Sequence, residues 1–134
     1  MRVADSSVAV GVFAEWHPRH EQARSALGRD PGIVTHAAFE TYSVLTRMRE
    51  PNRFEPAVVR DWLQLEFADR WLGLPPQALR LAIERFPELG VFGGATYDGL
   101  IAMTAAAEGA TLVTLDRRAL ATYARVGADV EFIG

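Results

Sequence analysis

The chain has 134 residues, 49% of them apolar, a formal net charge of −3 and no cysteine. That is enough apolar chain for a globular core, and it excludes intrinsic disorder, disulfides, thiolate zinc centres and cysteine nucleophiles. All 14 basic residues are arginine, which also excludes the GK[ST] step of a P-loop.

Taken in chain order, residues 2–5 read as a short strand that ends on the acid Asp5. Ser6 or Ser7 can cap a following helix over Val8, Ala9, Val12 and Phe13. The apolar stretch 8–14 is too short to span a membrane, and Glu15 interrupts it. No cationic start or long apolar run resembles a secretory signal, so a cytoplasmic protein is expected. Pro18 breaks the first helix, and residues 20–27 form a second with Gly28 as its stop.

Residues 32–35 are a brief β-branched run, after which His36 can open a helix over 37–48, ended by Pro51 and Asn52. The wide apolar face of residues 56–67 predicts another helix. Residues 70–74 read as a short strand or a loop. Pro76 suits the first turn of a helix reaching Ile83 and Phe86. A glycine-rich connection, 90–94, precedes a helix that Thr96 can cap, with Tyr97, Leu100, Ile101, Thr104 and Ala105 on one face. Residues 110–115 are almost continuously apolar, as in a central strand covered on both faces. A short helix, 117–125, and a last strand, 129–133, complete the chain. This alternation predicts an α/β domain with a mostly parallel sheet, and with no linker or repeat it predicts one domain over residues 1–134.

Four acids stand out on this frame. Asp5 closes the first strand and Asp116 the central one, and open parallel sheets bind ligands at the carboxyl ends of their strands. Asp98 falls in the first turn of the helix after the glycine loop. Glu40 is expected in the first turn of its own helix, among Ala38, Phe39 and Tyr42. Each has an ordinary structural reading as well: a cap, a helix-dipole partner or a solvated position. If they converge, two carboxylates about 5 Å apart repel by roughly 3 kcal/mol at an effective dielectric near 20. Such a set either holds protons or binds a hard cation such as Mg²⁺ or Mn²⁺. Acid-only donors suit phosphodiester cleavage better than zinc hydrolysis.

The runs VADSS (3–7), FETYSVLTR (39–47), TYDGLIAMTAA (96–106) and TLDRRAL (114–120) resemble the four acidic motifs of PIN-domain nucleases. Their spacing and the total length resemble VapC-type toxins of toxin–antitoxin pairs. The resemblance implies a three-layer α/β/α sandwich with a small, mostly parallel central sheet. It implies that Asp5, Glu40, Asp98 and Asp116 form a catalytic and metal-binding quartet using Mg²⁺ or Mn²⁺. It further implies endonucleolytic cleavage of RNA, with tRNA among the structured candidates, leaving a 3′-hydroxyl and a 5′-phosphate. Ser6 and Thr114 match the hydroxyl positions beside the first and last acids, where they would orient carboxylates or waters. A VapB-type antitoxin and a homodimer are implied in the same way.

Several side chains stay open at this stage. Arg117 and Arg118 follow the last acid and suit RNA phosphates, or simply solvate a helix start. His36 has i, i+4 spacing to Glu40, which permits a shared metal but equally a helix-start role. His17 and His20 are expected to be exposed. Trp62, Trp71, Phe67 and Leu63 are core residues or the lining of a groove for an antitoxin helix. The net charge is not the basic balance usual for a nucleic-acid binder, although bound cations invert the local sign. The competing readings are a catalytically silent PIN-like binding module and an Mg²⁺-dependent phosphatase. Receiver-type and haloacid-dehalogenase-type phosphoryl sites normally employ a lysine, which this chain lacks.

Overall fold

Short apolar runs separated by amphipathic ones give parallel strands joined by helical crossovers. In the computed structural model, which describes residues 1–134, the strands are β1 (Arg2–Ala4), β2 (Gly32–Val34), β3 (Trp71–Leu72), β4 (Thr111–Thr114) and β5 (Asp129–Phe132). They form one sheet in the order β3-β2-β1-β4-β5, and every pair is parallel. The helices are α1 (Ser6–Phe13), α2 (His20–Leu27), α3 (Thr35–Arg47), α4 (Pro56–Phe67), α5 (Pro76–Leu89), α6 (Thr96–Ala107) and α7 (Leu120–Val126). Single 3₁₀ turns, Gly93–Ala95 and Arg117–Ala119, lead into α6 and α7.

The chain steps outward from β1 through β2 to β3, then crosses to β4 and β5 on the other side of β1. Right-handed crossovers therefore put α1 to α4 on one face and α5 to α7 on the other. The packing agrees: α1 contacts α2 and α3, α3 contacts α4, and α6 contacts α5 and α7. Val3, Ala4, Ile33, Leu112 and Val113 are fully buried between these layers. This is the expected α/β/α sandwich, with a sheet that is wholly rather than mostly parallel. The reversal of strand order opens a crevice at the carboxyl ends of β1 and β4, where open α/β sheets place their ligands.

Local details differ from the sequence reading in five places. Asp5, not Ser6 or Ser7, is the N-cap of α1. Helix α3 begins at Thr35 directly after β2, so Glu40 lies in its second turn. Thr96 is already helical and caps nothing; Ala95 precedes it, at the end of a 3₁₀ turn. Helix α5 runs through Pro87 to Leu89 before Gly90 ends it in the left-handed region at φ 72°. The predicted helix after Asp116 divides into the 3₁₀ turn and α7. Residues 71–72 form an edge strand, and no helix is long and apolar enough to cross a membrane. Phe67 and Leu63 are core, while Trp62 and Trp71 pack on it from half-buried positions.

Gly99 fixes how α6 approaches its neighbours. A Cβ there would stand 2.6 Å from Val91 Cγ1 and 3.2 Å from the Phe86 ring. A larger residue would push away the start of α6, and Asp98 with it.

Candidate active site

Because Ala4 pairs with Val113, β1 and β4 release their following residues side by side. Asp5 leaves β1 in extended backbone and turns at once into α1. Its Oδ1 accepts the Val8 amide at 3.1 Å and the Ser7 hydroxyl at 2.6 Å. Its Oδ2 accepts the Tyr123 hydroxyl at 2.9 Å. Asp5 is only 2% exposed, and this burial raises its pKa, while the surrounding donors pull the other way.

A polar relay joins this acid to the end of β4. Ser7 Oγ accepts the Leu115 amide at 2.9 Å and lies 3.4 Å from Thr114 Oγ1. Thr114 Oγ1 in turn accepts the Asp116 amide at 3.0 Å, and Asp116 caps the 3₁₀ turn by accepting the Arg118 amide at 2.9 Å. The hydroxyl beside Asp5 is thus that of Ser7, where Ser6 was expected. At the start of α1 only one of two adjacent serines can face the strand end, and the helix phase selects the second.

Asp98 and Glu40 come from helices on opposite faces. Asp98 sits in the first turn of α6, half-buried, with its pKa pushed up to about 6. Burial is the largest cause, followed by the charges of Asp116, Glu40 and Asp5. The other three acids therefore lie within electrostatic reach of Asp98. Glu40 lies 3.7 Å from His36 Nε2, and the His36 ring stacks on Tyr97 with centroids 4.8 Å apart and planes 4° from parallel. That stack ties the helix carrying Glu40 to the helix carrying Asp98.

The donor set is all oxygen and mutually repelling, which suits a hard divalent ion in kind. No three acidic or imidazole side chains are gathered into a ready-made chelate. Such ions retain several waters and need only one or two carboxylates directly, so the looser arrangement is compatible with them.

Tyr123 was not singled out in the sequence. Its ring is buried and its pKa is raised, first by burial and then by Asp5, so it stays a protonated donor. A buried tyrosine requires a partner for its hydroxyl, but only the packing of α7 reveals that the partner is Asp5. Arg117 and Arg118 are both exposed. The Arg117 guanidinium lies 4.8 Å over the Phe132 ring, whereas Arg118 gives Asp116 its backbone amide. His17 and His20 are half-buried rather than exposed. His20 Nδ1 lies 2.8 Å from the Gly11 carbonyl, and His17 Nδ1 accepts the Arg19 amide at 3.0 Å.

Comparison with known proteins matches residues 2–126 to the family model described as PIN domain. Ribonuclease VapC40 of Mycobacterium tuberculosis is 44% identical over 133 residues, covering 99% of each chain. Ribonuclease VapC27 of the same species is 34% identical over 127 residues, covering 94% of this chain and 92% of the relative.

Proposed function

The chain belongs to the PIN-domain family, in its VapC ribonuclease type, and from this premise we propose that it is an RNA-cleaving toxin whose catalytic acids are Asp5, Glu40, Asp98 and Asp116. The observation that carries the assignment is the Asp98 carboxyl, raised to about 6 with the other three acids among the causes. Four acids from two helices and two strand ends have no structural need to share one crevice. Their repulsion is a standing cost that a cation removes.

The reaction is in-line attack of water on phosphorus with departure of the 3′-oxygen, giving a 3′-hydroxyl and a 5′-phosphate. Mg²⁺ or Mn²⁺ bound among the carboxylates would supply Lewis-acid activation of water and neutralise developing charge. The chain's own contribution is placement. Tyr123, Ser7 and the Val8 amide hold both Asp5 oxygens in one orientation. Thr114 holds the backbone of Asp116, and the His36–Tyr97 stack joins the helix of Glu40 to the helix of Asp98. Glu40, Asp98 and Asp116 remain partly open to solvent, leaving a path for the phosphate to enter.

The same reading includes a VapB-type antitoxin that neutralises the enzyme, a homodimer and a cytoplasmic location. Its RNA substrate is a structured RNA such as tRNA.

The test is incubation of the purified protein with labelled structured RNA in Mn²⁺ or Mg²⁺, and again with excess chelator. Cleavage is expected only with the divalent ion. Asp5→Asn and Asp98→Asn are each expected to lose at least about 100-fold in rate with unchanged circular dichroism. Normal turnover by both variants would overturn the assignment, and tight RNA binding without metal-dependent cleavage would favour a silent binding module.

A further inference from the structure

A protein with a net charge of −3 and four acids around its proposed cutting site must still attract a polyanion. Beside the quartet lies an open cavity of about 610 Å³ that begins at Asp116 and the two serines of α1. Its lining also includes His17 and Arg19 from the turn between α1 and α2, and Arg117 from the turn after β4.

Three features make this cavity suited to phosphate. First, its arginines are uncommitted. Arg2, Arg53, Arg60 and Arg70 are engaged in ion pairs with carboxylates, but neither Arg19 nor Arg117 is in one. Arg19 bonds only the neutral amide of Gln22, at 2.8 Å. Second, Arg117 is pre-oriented. Its guanidinium lies over the Phe132 ring, which also lines the cavity, and this restrains the plane while leaving N–H groups for an oxygen ligand. Third, His17 is fixed as a donor. Its Nδ1 accepts the Arg19 amide, so the neutral ring carries its proton on Nε2. Arg118, the neighbour of Arg117, is not part of the wall.

We propose that this cavity binds the RNA backbone flanking the scissile bond, with Arg19 and Arg117 holding a phosphate next to the one being cut and His17 donating a further hydrogen bond. Asp116 stands where cavity and quartet meet, so an RNA strand seated on Arg19 and Arg117 delivers its adjoining phosphodiester to the acids. Arg19 thereby becomes a positioning residue for the reaction, although it lies nearly a hundred residues from the last acidic motif. The proposal rests on RNA being the substrate.

The test measures binding of a labelled single-stranded RNA of mixed sequence, without divalent ions, as a function of NaCl. The proteins compared are the wild type, Arg19→Gln, Arg117→Gln and, as a control at an exposed position of α5 outside the cavity wall, Arg80→Gln. Arg19→Gln and Arg117→Gln are each expected to weaken binding about tenfold. Each is also expected to flatten the slope of log K against log salt by about 0.7. In metal-dependent cleavage, Arg19→Gln should raise KM more than it lowers kcat. If both variants bind with the affinity and salt slope of Arg80→Gln, the cavity is not a phosphate site, whatever the enzyme cleaves. If the wild type binds RNA through Arg19 and Arg117 but never cleaves it, the nuclease reading fails while the cavity assignment stands.

Discussion

The crevice has two walls of opposite character. The inner wall, at the ends of β1 and β4, is wired: Asp5 receives three hydrogen bonds, and Ser7 and Thr114 carry the network across to Asp116. The outer rim is supplied by α3 and α6, where Glu40 and Asp98 are half-buried and the His36 imidazole lies 3.7 Å from Glu40. On the inner wall, burial raises the pKa of Asp5 but several donors oppose it. On the rim no donor opposes it, and the charges of the other acids add to burial in raising the pKa of Asp98. The inner wall therefore fixes geometry, and the rim generates the demand for a cation.

Truncation tests that division most strongly. Asp5→Ala would leave the Val8 amide and the Ser7 and Tyr123 hydroxyls without their acceptor, and is expected to cost about 2–4 kcal/mol in urea denaturation. Asp98→Ala removes a group that is repelled and should be neutral or stabilising at neutral pH. Equal losses at the two positions would erase the distinction between wall and rim.

A subtler change sharpens the same contrast. Tyr123→Phe keeps the buried ring and deletes one donor to Asp5. Stability should fall by about 1 kcal/mol, and metal-dependent cleavage by about 10- to 100-fold. Unchanged cleavage would mean that Asp5 needs no orientation from α7.

The smallest expected effect is a pH dependence in chelator. Asp98 titrates at about 6 in the folded chain against an ordinary value of 3.8. The folded state therefore holds the extra proton between those values. Wild-type stability contributed by this group falls as pH rises across the window, and the full cost is present above it. Asp98→Asn escapes that cost. The variant should gain on the wild type from about pH 4 to pH 6 and then level off. The gain should be about 1 kcal/mol, reduced from the full shift because the carboxyl is half in water. A gain that instead grows toward low pH would reverse the sign and remove the rim's role.

Much of this arrangement was legible in the chain. The short strand-forming runs end on or just before Asp5 and Asp116, and strand ends in parallel sheets face the ligand crevice. A glycine-rich loop before a helix made Asp98 conspicuous. Glu40 was legible mainly through the likeness of its run to an acidic motif, and its helical turn was misjudged. The start of α3 depends on where β2 stops pairing with β1, which is a long-range event. Ser6 and Ser7 were indistinguishable for a related reason, because they differ only in the direction that α1 presents them.

The residues by themselves determined the alternation of strands and helices, the all-arginine basic set and the acids at strand and helix starts. These follow from local hydrophobic period, turn chemistry and composition. Only the tertiary structure decided that Ser7 and Tyr123 hold Asp5, that Asp98 bears the charge of the other three acids, and that Arg19 and Arg117 share a cavity. Apart from the Ser7–Asp5 contact, each of those facts joins groups far apart in the chain. Their distances and burial are set by how α1, α6 and α7 pack around the sheet, and no local pattern encodes them.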